Sequence, residues 1–322
     1  MPLITSSLNL AIKDLKQGKP VAIPTETVYG LAAMIDKESA IKAVFLMKHR
    51  PLDHPLIVHI AQYFDLSQLV EEIPDYAKSL MAHFWPGPLT LVFCSKKDRI
   101  NPLITGGQST VAIRCPAHPL AQKLLIALKT PLVAPSANPF GKVSPTTALH
   151  VKQSFAGKTL TILDGGRCGI GIESTIVDAT NHECYQILRH GLIDKQALAA
   201  VISSDYLDKE HSMRISGSLN SHYQPQKTLY YFDKYETLNR FCQKSLGAVY
   251  VMASQQPNSV LDNLFHKLAE HPKQVAFELY YQLRAADESK ALCIAIELPP
   301  AADAWQGVRE RILKAGSPPY SV

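Results

Sequence analysis

Cationic side chains crowd the stretch KHRPLDHPLIVHI, where Lys48, Arg50, His54 and His59 fall within about a dozen residues of an otherwise apolar run broken by prolines. Fixed cations of this kind suit phosphate or carboxylate, which offers charge-assisted hydrogen bonds in return for their desolvation. Two readings stand for Lys48 and Arg50. Coming at the end of a helical stretch, they complement its macrodipole and bond its last carbonyls, or else they face an anionic ligand. Arg114 poses the question more sharply, because it lies inside the apolar strand VAIRC and a buried guanidinium needs an anion. That anion is an internal carboxylate such as Glu26 or Glu173, or the carboxylate of a substrate held bidentately.

Hydroxyls and amides follow. Ser136 and Asn138 in PSAN, with Ser144 in SPT, either cap turns and helices or bond phosphate oxygens and help hold a hydrated metal. GGRCGIGIEST has the glycine density of a phosphate-cradling loop but matches neither GxxxxGK[ST] nor a GxGxxG that opens a helix. His54 and His59 stand five apart across a proline, without the spacing of a helical metal pair, so no transition metal is expected. There is no GxSxG and no reactive-thiol motif. Cations, hydroxyls and small residues together suit the positioning of two small substrates and the stabilisation of phosphate charge without a covalent enzyme intermediate.

The elements that must position these groups are legible in outline. Asp36 to His49 repeats Ile41, Val44, Phe45 and Lys48 at helical spacing and stops before Arg50-Pro51, where proline disfavours helix in its predecessor. Runs within VAIPTETVYGLAA, PLIVHIA, LTLVFC, TVAIRC, PLVAPSAN, TLTILDGG and STIVDAT read as buried strands of an α/β sheet. Residues 203–227 are polar, carry Ser, Gly and Pro, and show neither period. They separate a first domain at 1–202 from a small α/β domain at 228–322. In the latter, TLYYFD, GAVYVMAS and ALCIAIELP read as strands, and VLDNLFHKLAEH, QVAFELYYQLRAAD and GVRERILKAG as helices.

The chain has 322 residues, 46% of them hydrophobic and 19% charged, a globular composition. Its net charge of +5 lies wholly before residue 201, with 20 Lys and Arg against 15 Asp and Glu; the remainder balances at 13 against 13. An excess confined to one domain favours an anionic ligand there, nucleotide or nucleic acid. The six cysteines are scattered without a CxxC pair and read as buried free thiols. No run approaches the roughly eighteen apolar residues of a membrane span, and a cytoplasmic protein without membrane contact is expected.

PTETVYGLA, KHRP with HPLIVHI, WPGPLTLV, STVAIRCPAHP, APSAN with SPT, and GIESTIVD with ILRHG follow one another in the order of the YrdC family, which the chain resembles from about Leu8 to Leu198. The linker SGSLNSHYQP and the second domain make it similar to the long, two-domain members. The resemblance implies a YrdC-like twisted open sheet with a concave cationic cavity, plus a smaller Rossmann-like α/β domain. It implies synthesis of L-threonylcarbamoyladenylate from L-threonine, bicarbonate or carbon dioxide and ATP, with release of pyrophosphate. A partner threonylcarbamoyl transferase complex then modifies the adenosine beside the anticodon of tRNAs that read codons beginning with A. By the same resemblance Lys48, Arg50, Ser136 and Asn138 are the catalytic KxR and SxN elements. Arg50, His54, Thr110, Ser136, Ser144, Arg189 and Tyr223 match ATP-contacting positions, and Thr27, His59, Arg114, Ala134 and Ser174 match the threonine pocket. Mg2+ arrives with ATP, and the linker is expected to act as a lid over a labile product.

The chain departs from the family pattern at His54, commonly asparagine; at His190, where ILRHG replaces Arg-Pro-Gly; in ISGSL, which lacks the usual proline and methionine; and at Glu310, often asparagine. Two competing readings remain. An RNA-binding module would account for the charge balance, with weak tRNA or RNA binding, but no aromatic-rich RNA-recognition motif is present. A hydrogenase-maturation carbamoyltransferase would carry zinc fingers, which the unpaired cysteines exclude.

Overall fold

The computed structural model describes residues 1–203, 205–207, 213–217 and 222–319. Of the linker expected at 203–227, positions 204, 208–212 and 218–221 lie outside the described residues.

Among the described residues, eleven strands form one mixed sheet in the order Leu3–Thr5, Thr161–Leu163, Val21–Ile23, Gly30–Met34, Leu132–Val133, Ile57–His59, Thr110–Arg114, Leu89–Cys94, Thr175–Asp178, Cys184–Arg189, Asp205–Tyr206. VAIPTETVYGLAA is thus two antiparallel strands, Val21–Ile23 and Gly30–Met34, with PTETVY as the turn between them. Strand pairing sets His59 opposite Arg114 and Arg114 opposite Thr90.

Side chains alternate faces along a strand, and this divides the centre of the sheet. Val58, Leu91, Phe93, Val111, Ile113 and Val177 turn to one face and join the main core of the domain. Ile57, Ala112, Val92 and Ile176 turn to the other, beneath Met213 and Ile215 of the linker. Two residues along each strand, that second face presents His59, Arg114, Thr90 and Ser174. One sheet face therefore changes from apolar to polar within a single repeat, and the polar end is where a cavity opens.

The helix expected at Asp36 to His49 spans Glu38–Lys48, and His49 ends it in the left-handed conformation at φ 53°. Its buried residues Ile41, Val44, Phe45 and Lys48 share one stripe. Lys48 thus continues the apolar face into the interior rather than turning to solvent.

The small domain is a four-stranded parallel sheet in the order Thr228–Phe232, Cys293–Glu297, Val249–Ala253, Phe265–Lys267. Helices Pro272–Glu288 and Gln306–Ala315 are where the sequence places them. VLDNLFHKLAEH is a correction: it forms a short 3-10 turn, Asp262–Leu264, then the edge strand Phe265–Lys267. Its helical period is overridden by the open edge of Val249–Ala253, whose backbone it pairs in register from Val251 to Phe265. All six cysteines are free, but only Cys115, Cys168 and Cys242 are buried; Cys94, Cys184 and Cys293 are half-buried. Among the described residues no helix is long and apolar enough to cross a membrane.

Candidate active site

Eleven of the fourteen residues named from the sequence line one cavity: Thr27, Lys48, Arg50, His59, Arg114, Ala134, Ser136, Asn138, Ser174, Arg189 and Tyr223. The other three stand apart. His54 packs edge-on against Phe140 at 5.1 Å, Thr110 lies under Met213, and Ser144 is fully buried behind Glu173.

Lys48, 1% exposed, donates to the backbone oxygens of Ser136 at 2.5 Å and Asn138 at 2.6 Å, and so pins the PSAN turn. The guanidinium of Arg50 donates to Pro55 O at 2.8 Å, closing the proline turn on itself. Neither side chain bonds the last carbonyls of its own helix, so the helix-cap reading does not describe them. Arg189 holds Ser174 O through Nε at 3.1 Å and Nη2 at 2.9 Å. Ser174 Oγ in turn meets Thr90 Oγ1 at 2.8 Å.

These three cations are buried, and among the described residues none forms an ion pair. Burial drives the Lys48 ammonium well below its ordinary pKa, with Arg50 adding to the effect. Arg50 falls to about 10 and Arg189 falls as well, both chiefly through burial. Glu173 acts on Lys48 and Arg189 only across space, and three desolvated cations with no carboxylate in direct contact are a standing cost that an anionic ligand relieves.

Arg114 is different. Its Nη2 meets Glu26 Oε1 at 2.6 Å and its Nη1 donates to Thr27 Oγ1 at 2.8 Å, so the carboxylate left open by the sequence is Glu26 and not Glu173. Beside it His59 is pushed down to about 3, first by burial and then by Arg114. Its Nδ1 faces Ile57 O at 3.2 Å; the neutral ring donates there and keeps Nε2 as an acceptor.

Glu173 belongs to a second network, in which the sequence singled out Ser144 but neither Tyr280 nor Arg311. Its Oε1 accepts from Ser144 Oγ at 2.6 Å, and its Oε2 from Tyr280 OH at 2.8 Å and Arg311 Nε at 3.0 Å. Burial opposes its charge, yet Arg311 and Arg189 outweigh it and bring the carboxyl down to about 2. Arg311 and Tyr280 come from the small domain, whose last helix approaches so closely that a Cβ on Gly307 would stand 2.4 Å from Gly191 O. The signal was faint but present: Val308, Arg311, Ile312 and Ala315 fall on one helical stripe, with a cation where an apolar residue is expected. Two of the departures from the family pattern also meet here. The N–H of His190, which a proline would lack, donates to Glu310 Oε2 at 3.1 Å.

The linker roofs the cavity with Ser216, Gly217, His222 and Tyr223, leaving about 40 Å3 of free space. Tyr223 is buried at φ 62°, stacked on Tyr280 at 5.8 Å, and Gly217, at φ 88°, packs so near its hydroxyl that a Cβ would lie 2.5 Å away. Asn138 Oδ1, His222 Nδ1 and Tyr223 OH are buried here without a hydrogen-bond partner among the described residues. Orphaned polar atoms in a cationic cavity fit a polar ligand.

The chain matches the Sua5/YciO/YrdC profile, described as "Telomere recombination", over residues 13–191, and that of the "Threonylcarbamoyl-AMP synthase, C-terminal domain" over residues 193–317. The chain belongs to the Sua5/YciO/YrdC family. Within this family, threonylcarbamoyl-AMP synthase of Bacillus subtilis is 38% identical over 313 residues, 94% of this chain and 90% of that protein. The crystal structure of Pyrococcus abyssi Sua5 complexed with L-threonine superposes with a TM-score of 0.86 at 33% identity, covering 98% of this chain and 99% of that one. Shorter family members exist: the Vibrio vulnificus threonylcarbamoyl-AMP synthase is 36% identical over 190 residues, 58% of this chain and the whole of that protein.

Proposed function

We propose that the chain is a threonylcarbamoyl-AMP synthase that condenses L-threonine, bicarbonate or carbon dioxide, and ATP, releasing pyrophosphate, in the pathway that modifies tRNA beside the anticodon. The observation that carries this reading is the trio of buried cations without carboxylates, Lys48, Arg50 and Arg189, in a chain similar nearly end to end to named synthases. The threonine amine and bicarbonate form a carbamate with loss of water. A carbamate oxygen attacks the α-phosphorus, its bond to the bridging oxygen breaks, and pyrophosphate leaves with the electron pair.

Thr27, His59, Arg114, Ser174 and the backbone at Ala134 hold threonine, with the neutral His59 Nε2 as an acceptor. Arg50, Ser136, Arg189 and Tyr223 face ATP, and Ser144, His54 and Thr110 act from its margin. Fixed cations stabilise charge that develops at phosphate without reorganising. Lys48 acts by holding the Ser136 and Asn138 carbonyls. Mg2+ would come with ATP: Glu173, an acid of the cavity wall, is already engaged, whereas the orphaned Asn138 Oδ1 is a hard oxygen donor suited to such an ion. Bound there, the ion would supply charge neutralisation at the phosphates.

Ligand pockets span about 300–1,000 Å3. With about 40 Å3 free, the linker must shift to admit ATP, as a lid protecting a mixed anhydride from water would. The product then passes to a transferase complex in the cytoplasm. Pyrophosphate release measured with each substrate omitted in turn is the test: it should require threonine, bicarbonate and ATP together. Release with any other amino acid as efficient as with threonine overturns the specificity, and linker proteolysis unchanged by ATP and threonine overturns the lid.

A further inference from the structure

We propose that Arg311 and Tyr280 of the small domain are positioning residues for nucleotide binding, acting through Glu173 on Ser144. The proposal deepens the synthase reading and rests on it for the identity of the nucleotide.

The geometry has three parts. First, Glu173 is fully committed: Oε2 accepts from Arg311 Nε at 3.0 Å and Tyr280 OH at 2.8 Å, which leaves Oε1 aimed at Ser144 Oγ at 2.6 Å. A hydroxyl has a single proton, so Ser144 gives it to Glu173 and keeps only lone pairs, which answer a donor of the nucleotide, a ribose hydroxyl or the adenine amine, and not its phosphates. Second, the commitment is costly. Arg311 is 0% exposed, and a guanidinium taken wholly from water is strongly destabilising wherever it loses its partners. Those partners lie across the domain boundary: besides Glu173, Arg311 Nη1 donates to His190 O at 2.7 Å, one residue beyond Arg189. Third, the adjoining residue Ser174 is held by Arg189 and Thr90 and lines the cavity. The Glu173-Ser174 pair is therefore clamped on one side by the small domain and on the other by the large one.

This gives the small domain a task in this chain. The Vibrio vulnificus relative is matched over its whole length by 58% of this chain, whereas Arg311 and Tyr280 lie in the small domain that this chain adds. Here, withdrawing the small domain would remove two of the three side-chain hydrogen bonds that fix Glu173, and with them the orientation of Oε1 toward Ser144.

The experiment uses the full chain and four variants: Tyr280→Phe, Arg311→Lys, Ser144→Ala and the combination Tyr280→Phe with Ser144→Ala. Binding of a non-hydrolysable ATP analogue is read by calorimetry, and KM for ATP and kcat by pyrophosphate release, all at a temperature well below each melting point. Tyr280→Phe and Arg311→Lys should weaken analogue binding and raise KM for ATP about three- to tenfold, with kcat within about twofold. The Tyr280→Phe effect should vanish in the Ser144→Ala background, because groups acting in one relay are not additive. Variants that melt earlier but bind and turn over as the parent does overturn the proposal, and so does an undiminished Tyr280→Phe effect without the Ser144 hydroxyl. A parent chain that binds the analogue but makes no adenylate overturns the synthase reading alone; one that binds no analogue overturns both.

Discussion

Three buried cations line the cavity and a fourth, Arg311, lies behind its wall, and they differ in what answers their charge. Lys48, Arg50 and Arg189, from the large domain, spend their hydrogen bonds on backbone carbonyls and meet no carboxylate among the described residues. Arg311, from the small domain, is matched by Glu173 and Glu310. The cavity cations gain a direct ion pair only when an anion arrives, whereas Arg311 has one before any ligand binds. Unanswered charge marks the place for a ligand, and answered charge holds the wall behind it.

The largest effect should come from breaking the answered set. Arg311→Met leaves Glu173 buried and unpaired and should cost about 3–5 kcal/mol in urea unfolding, much of it recovered when Glu173→Gln is added. Were the single variant as stable as the parent, the two sets would not differ in the way described. Removing a cation from the unanswered set should act on chemistry instead. Arg50→Met should lower adenylate formation by a hundredfold or more, about 2.7 kcal/mol of transition-state stabilisation, with stability changed by about 1 kcal/mol or less. Lys48→Met sits between the two: the same loss of activity, with about 1–3 kcal/mol of stability lost because two carbonyls are orphaned. Equal losses of fold and activity at Arg50 would return it to a structural role.

Smaller effects sharpen the boundary between the domains. Glu310→Gln should cost about 1 kcal/mol in the parent and measurably less in a His190→Pro background, where the N–H that Glu310 accepts is gone. A double-mutant cycle in urea gives the coupling, and zero coupling would make the meeting of these two residues incidental. The gentlest test is acid. His59 and His222 are held near 3 by burial, so between there and the ordinary 6.5 the unfolded chain binds more protons than the folded one. Stability is full above about pH 6.5 and falls as pH drops; Glu173, held near 2, adds a loss of the same sign below about 4.5. Unfolding free energies at pH 7.5, 6.5 and 5.5 should show the decline, and His59→Asn should flatten it by up to about one proton.

Legibility followed distance along the chain. The helix over Glu38–Lys48 was readable because Ile41, Val44, Phe45 and Lys48 recur at its own period, and the central strands because alternation and β-branched runs are local. The segment 260–271 misled because its helical period is genuine, while the strand it forms depends on an edge supplied by Val249–Ala253. Most of the cavity was legible through residues in ordered motifs. Arg311 showed only as a cation on an apolar stripe, and its pairing, like that of Tyr280, was not legible, since their partner Glu173 lies 138 and 107 residues away and no local pattern records such a contact.

Sequence alone determined the periods, and with them the helix face that carries Lys48 inward, the strands that carry His59 and Arg114, and the concentration of positive charge in the first domain. Tertiary structure alone decided which charges are answered. It joined Arg114 to Glu26 and Glu173 to Arg311, and it left Lys48, Arg50 and Arg189 without a carboxylate. The reason is physical: periodicity comes from backbone geometry shared by neighbouring residues, whereas desolvation and ion pairing depend on which side chains the folded chain brings within a few ångströms.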